Sequence, residues 1–199
     1  LTLAVFRRDV RDFVFRSIET VEGDPYPLRL DAPFNTGDGR IKGIELAATT
    51  FLDFDFLPDW ARGFGAQANY TYIDAWTTLA PGQQDRLPGR QPFPGVSKHS
   101  YNLVGIYERY NFSARLAYNW RSKYVERYED TNGGYLAPLY RKSLGQLDFS
   151  ASFTPVENLT IAFDALNLLA GKQPIRSLPE QLPGGLPVEG VEAPLPAPL

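Results

Sequence analysis

The chain has no cysteine among its 199 residues, and that single absence removes disulfide scaffolds, thiol nucleophiles and thiolate metal centres together. It has no basic excess either. A formal charge of −3 and an isoelectric point near 5.2 leave little to neutralise phosphates, so no nucleic acid is expected as a partner. No stretch approaches the roughly 20 apolar residues that a membrane-spanning helix requires, and no longer segment carries an apolar stripe at helical spacing, so helix is expected to be minor. No signal peptide is expected ahead of Leu1 either. Leu1-Thr2-Leu3-Ala4-Val5-Phe6 reads as a strand already under way, which leads to the expectation of a truncated chain.

A mean hydropathy of −0.28 suits a soluble protein, yet it does not exclude a membrane, because only every second residue of a transmembrane β-strand meets lipid. A period of two is what the chain offers. Phe112, Ala114, Leu116, Tyr118 and Trp120 fall on one face, and Ser113, Arg115, Ala117, Asn119 and Arg121 on the other. The same rule sorts Leu147, Phe149, Ala151 and Phe153 against Asp148, Ser150, Ser152 and Thr154, and Phe64, Ala66, Ala68, Tyr70 and Tyr72 against Gly65, Gln67, Asn69 and Thr71. Weaker alternation at about 1–8, 12–20, 41–52, 97–108 and 159–168 raises the expected count to about eight strands. Short connections are predicted near Asp9-Val10-Arg11, Leu57-Pro58-Asp59-Trp60, Arg109-Tyr110-Asn111 and Thr154 to Asn158. Long ones, rich in Gly, Pro and charge, are predicted near 21–39, 76–96 and 125–144. Tight turns on one side and large loops on the other form the up-and-down layout of outer-membrane barrels. From about residue 170 repeated prolines forbid a ladder, so 1–169 is expected to be barrel and 170–199 a disordered or extended Pro/Gly-rich tail.

Alternation alone does not separate a soluble lipocalin-like barrel, apolar inside, from a membrane barrel, apolar outside. Three features favour the membrane. The polar face carries Arg115, Asn119, Arg121, Gln67 and Asn69, too polar for a small closed core but suited to a hydrated or plugged lumen. Aromatic residues gather toward strand ends, as with Tyr70, Tyr72, Tyr118 and Trp120, where rings suit the headgroup level. The clear strands also have about the ten residues a tilted spanning strand needs.

Several segments, in order, resemble the C-terminal barrel portion of TonB-dependent receptors. They are Arg40-Ile41-Lys42-Gly43-Ile44-Glu45-Leu46, Ala68 to Asp74, Pro94 to Ser100 followed by Tyr107-Glu108, Arg115 with Tyr118 to Tyr124, and Leu159 to Asn167-Leu168. The resemblance spans about residues 1–169. It implies an all-β, antiparallel, up-and-down transmembrane barrel segment, about eight strands of a barrel of about 22 with a plugged lumen. It also implies energy-coupled uptake of a scarce nutrient, such as an iron-siderophore, vitamin or oligosaccharide, across a bacterial outer membrane. The implied partners are outer-membrane lipid and lipopolysaccharide, the missing N-terminal barrel half and plug of a parent chain, TonB through that parent chain, and the small nutrient ligand. The closing strand ending in an aromatic residue, which the family has, is replaced here by the Pro-rich tail.

Individual residues offer no chemistry of their own. His99 and Ser100 are adjacent on a strand, so they point to opposite faces and cannot act as base and nucleophile. Asp53, Asp55 and Asp59 lack the glycine and closing Glu of a calcium loop and read as solvated turn carboxylates. Gly37-Asp38-Gly39-Arg40 has no following helix to cradle a phosphate and reads as a turn entering a strand. Glu126, Arg127, Glu129 and Asp130 read as a mobile mixed-charge loop. No catalytic residue, metal or cofactor is expected. Arg115, Asn119, Arg121, Lys123, Gln67 and Asn69 are the candidate lumen-facing residues; Tyr70, Tyr72, Tyr118 and Trp120 are the candidate membrane-interface aromatics. Two other readings compete. A small eight-stranded barrel with a structural or adhesive role requires the first and last strands to pair, and a lipocalin-like ligand-binding barrel requires Phe112, Leu116, Phe149 and Phe153 to point inward.

Overall fold

The computed structural model describes residues 1–21, 23, 28–35, 37–79, 84–130 and 136–169. The predicted tail at 170–199 and the Asn132-Gly133-Gly134 run lie outside the described residues. Seven long strands form one antiparallel path: β1 (Thr2–Val10), β4 (Gly39–Phe51), β5 (Phe64–Thr77), β7 (His99–Arg109), β8 (Phe112–Arg121), β11 (Leu144–Val156) and β12 (Leu159–Ala165). The two-residue β6 (Gln91–Pro92) adds to β5 off this path and completes an eight-stranded sheet. Among the described residues β1 and β12 do not pair, so the sheet is open and the small closed barrel is rejected.

Local chemistry fixes the turns. Tyr110 and Asn111 both take positive φ, 54° and 58°, giving the two-residue hairpin whose twist matches that of β7 and β8. A tyrosine in that conformation is strained. It is held there because its hydroxyl donates to Asp59 Oδ2 at 2.8 Å while the Arg109 guanidinium lies over its ring at 5.1 Å. Asp59 sits on the only 3-10 turn among the described residues, Asp59–Gly63, and also pairs with Arg109. Hydrogen bonds from Arg109 and Tyr110 hold its carboxyl below the usual carboxylate range. The turn-forming residues at 57–60, 109–111 and 154–158 thus lie where expected.

The segment 9–20 does not. Asp9 and Val10 continue β1, opposite Arg40 and Gly39, and no barrel turn follows them. The expected strand at 12–20 is β2 (Val14–Val21), which leaves the main sheet and pairs with β3 (Leu28–Asn35). Across the molecule, 125–144 is not a loose loop but a hairpin of β9 (Tyr124–Asp130) and β10 (Leu136–Arg141). The two hairpins meet in a second sheet of order β10-β9-β2-β3, joined by the parallel pairing of Ile18 with Glu129. Pro33 and Pro138 lie in its two outer strands, the positions where a missing backbone donor costs no ladder bond. The mixed charges expected to be mobile are ordered: Arg141 Nη2 reaches Glu126 Oε1 at 2.9 Å, and Arg127 Nε reaches Glu129 Oε1 at 2.7 Å.

The buried core lies in this cap, not in the main sheet. Leu79, Leu87, Val125, Tyr128 and Leu136 are each at most 5% exposed and pack together against Tyr140. The Tyr128 hydroxyl donates to Pro92 O at 2.7 Å, and burial raises its pKa, keeping the donor protonated. Phe93, also buried, packs tilted against Phe13 with ring centroids 4.7 Å apart and presses so close to Gly39 that a Cβ there would lie 2.9 Å from the ring. Leu136→Ala is predicted to cost the cap about 2–5 kcal/mol. Hydrogen exchange of β9 and β10 amides in the intact receptor should therefore speed up by about 30-fold or more while β7 and β8 amides keep their rates.

Candidate functional site

Register makes each face of the main sheet chemically uniform. On one face Leu46, Tyr70, Tyr101 and Trp120 stand side by side, then Ala68, Leu103, Tyr118 and Leu147, then Ala66, Gly105, Leu116 and Phe149. Leu103 and Leu116 are each 47% exposed, Phe112 and Phe153 are exposed, and Phe149 is half-buried, so no dry centre forms around them. The soluble lipocalin-like arrangement is therefore absent.

Aromatic residues on this face form two bands. Tyr70, Tyr72, His99, Tyr101, Tyr118 and Trp120 make the one toward the long connections. Tyr101 stacks on Trp120 at 5.1 Å, and the Tyr70 hydroxyl hydrogen-bonds His99 Nδ1 at 2.8 Å. Phe64, Tyr107 and Phe112 make the other, with Phe64 and Tyr107 rings 4.7 Å apart and Trp60 edge-on beyond them. From Phe112 to Trp120 β8 advances about 27 Å, or about 20 Å of height at a 40° tilt, comparable to the apolar belt of an outer-membrane barrel.

The opposite face is polar. Its central row is Asn69, Asn102, Asn119 and Gln146; the row above it is Glu45, Thr71, Ser100 and Arg121; the row below is Thr49, Gln67, Val104, Ala117 and Asp148. Asn102 Nδ2 donates to Asn119 Oδ1, and Gln146 Nε2 bridges both Asp148 oxygens at 3.0 Å. Asn167, with positive φ after β12, donates its backbone N–H to Asp148 Oδ1 at 2.7 Å, and Leu168 N donates to Leu147 O at 2.7 Å. The Asn-Leu pair thus ties the chain back to β11. A recess of about 360 Å³ opens over the two upper rows, lined by Asn69, Thr71, Asn102, Asn119, Arg121 and Gln146. Amides and hydroxyls of this kind offer paired donors and acceptors to water or a hydroxyl-rich solute. They do not form a nucleophile with a base.

Of the residues predicted for this face, Gln67, Asn69, Arg115, Asn119 and Arg121 stand on it, Arg115 level with Ser150. Arg121 is engaged structurally: its Nε donates to Ser97 Oγ at 2.9 Å, its Nη2 to Gly95 O at 3.0 Å, and its guanidinium lies 4.0 Å over Tyr124. Ser97 in turn donates to Ser122 O at 2.8 Å, so Arg121 fastens the cap to the sheet. Lys123 lies past the end of β8, and its ammonium lies over Tyr140 at 5.6 Å. The predicted interface aromatics Tyr70, Tyr72, Tyr118 and Trp120 all belong to the upper band. Sequence reasoning left out Asn102, Gln146 and Tyr101. The alternation of Ser100, Asn102 and Glu108 against His99, Tyr101, Leu103 and Tyr107 carried the signal, but Val104 and Ile106 interrupt it.

A continuous antiparallel sheet with one banded apolar face, one polar face, short turns at one end and folded connections at the other is the wall of an outer-membrane type of β-barrel. The family model described as TonB dependent receptor-like, beta-barrel matches residues 1–168, and the chain belongs to that family. No curated protein matches it. The family comprises receptors of the bacterial outer membrane that act in transport rather than as enzymes.

Arg121 and Arg115 separate by their partners. Arg121→Ala is predicted to loosen the 93–98 segment by about 2 kcal/mol, seen as about 30-fold faster proteolytic nicking there, because charged hydrogen bonds are lost. Arg115→Ala, at an exposed position, should leave that rate unchanged.

Proposed function

We propose that this chain forms part of the wall of a TonB-dependent receptor that takes up a scarce nutrient across the bacterial outer membrane, with energy supplied through TonB by a parent chain. The coherent segregation of the two faces carries the reading. Between the aromatic bands the apolar face holds no Asp, Glu, Lys or Arg, whereas the other face holds Glu45, Arg115, Asp148 and Asp164. An Arg or Lys turned to the bilayer midplane costs about 2–4 kcal/mol, and a carboxylate less, so the sheet is far more stable with its polar face inward. That face then lines a hydrated lumen against a plug. Arg115, Asn119, Gln67 and Asn69 offer polar contacts along it, and the capped connections stand outside, where cargo is first met. Tyr70, Tyr72, Tyr118 and Trp120 anchor the wall at the outer headgroup level.

Cargo of the iron-siderophore, vitamin or oligosaccharide type suits a wall of amides and hydroxyls. The test is uptake by cells that carry or lack the intact receptor, supplied in turn with ferric chelates, cobalamin-type vitamins and oligosaccharides. The expected result is loss of energised uptake for one class. Unchanged uptake of all three classes would contradict the reading.

A further inference from the structure

The recess on the polar face is built from two complete rows of the sheet. Asn69, Asn102, Asn119 and Gln146 form one row across β5, β7, β8 and β11, and Thr71, Ser100, Arg121 and Leu144 form the next. Tyr101 and Trp120 also border it, but they fall between the rows and their rings stack on the other face, so they lend it backbone alone. Three interstrand spacings make the recess about 14 Å long, and the two-residue step between rows makes it about 7 Å wide. It stands level with the upper aromatic band, at the end of the wall that carries the long connections.

Most of its hydrogen-bonding capacity is unused. Asn102 Nδ2 donates to Asn119 Oδ1 and Gln146 Nε2 to Asp148, which leaves Asn102 Oδ1, Asn119 Nδ2 and Gln146 Oε1 without a partner among the described residues. Asn69, Thr71 and Ser100 make no side-chain hydrogen bond among those residues. Carboxamides and hydroxyls set a donor beside an acceptor at each step, a pattern that neighbouring hydroxyls of a sugar ring satisfy. Charge points the same way. Arg121 already engages Ser97 through Nε and Gly95 through Nη2. Glu45, next to Thr71 in the same row, and Asp148, next below Gln146, place two carboxylates at the borders. Glu45 is exposed and forms no ion pair among the described residues. Two carboxylates against one guanidinium disfavour an anionic solute.

We infer that this recess is a subsite for a neutral, linear oligosaccharide, with the row of four amides as the recognition element and Glu45 and Asp148 as the borders that exclude anionic cargo. Its elongated outline suits a chain of rings laid across the strands, not a compact chelate or a broad macrocycle. A site made to hydrogen-bond hydroxyls rejects a solute that lacks them, because its amides then lose water without replacement. The inference rests on the uptake reading above and narrows its three cargo classes to one.

The intact receptor, held in lipid nanodiscs free of sugar detergents, is to be titrated calorimetrically with maltohexaose, cellohexaose and xylohexaose. Hexagalacturonate, a chain of equal length with a carboxylate on every ring, and ferric citrate serve as the anionic probes. Binding of at least one neutral chain is expected, about tenfold or more tighter than either anion. Asn69→Leu and Asn119→Leu should each weaken it about tenfold without moving the thermal unfolding midpoint. Glu45→Gln should narrow the preference over hexagalacturonate about threefold and leave affinity for the neutral chain unchanged. The subsite is overturned if no neutral chain binds, if ferric citrate binds more tightly, if neutral binding survives the combined Asn69→Leu and Asn119→Leu variant, or if Glu45→Gln leaves the preference unmoved. Energised uptake by cells separates this site from the reading beneath it. Transport of ferric citrate without oligosaccharide binding sinks the subsite alone, whereas oligosaccharide binding that depends on the amide row, with no energised uptake of any class, sinks the uptake reading alone.

Discussion

Inside hydrocarbon no water is present to accept a backbone N–H or donate to a carbonyl, so every such group has to be paired within the protein. Strands meet that demand only through their neighbours, and pairing imposes register. Because side chains alternate at each step, slipping one strand by a single residue would bring its polar side chains into lipid. The unbroken register from Leu46 through Tyr70 and Tyr101 to Trp120 is therefore what allows one face to be greasy and the other wet. The same demand leaves the outer edges of β1 and β12, which have no partner strand among the described residues, as surfaces for the rest of a larger barrel.

The stability of the cap has a different source. The main sheet has little buried apolar volume of its own, because one of its faces is greasy and exposed and the other is polar. The connections instead enclose Tyr128 and Leu136 with Leu79 and Leu87, the kind of core a small soluble domain would build. Arg121 and Ser97 join the two parts with charged and neutral hydrogen bonds at the rim. A connection already folded into strands has fewer conformations to lose on binding than an open one.

Sequence revealed the wall better than the cap. In β5, β8 and β11 the apolar and polar faces differ so sharply that each residue reports its own side, and alternation is legible without any partner. The strand at 12–20 also alternates, but alternation marks a strand and not the sheet it joins; its partner β3 was hidden by Pro33, which reads as a breaker until its strand is known to be an edge. Glu126 looked solvated because its partner, Arg141, is distant in sequence. The polar row was half visible: Asn69 and Asn119 stood out, whereas Asn102 and Gln146 gained meaning only once register placed them alongside. Lys123 shows the limit of parity, which holds only while the strand continues.

The central claim is the sidedness of the sheet, and paired cysteine accessibility tests it most directly in an intact receptor otherwise free of cysteine. Adjacent positions are compared: Gln67→Cys with Ala68→Cys, and Asn119→Cys with Tyr118→Cys. A membrane-impermeant thiol reagent should label Gln67→Cys and Asn119→Cys from the aqueous lumen once the plug is removed, and leave Ala68→Cys and Tyr118→Cys unlabelled. Labelling of Ala68→Cys and Tyr118→Cys with protection of their neighbours would contradict the account.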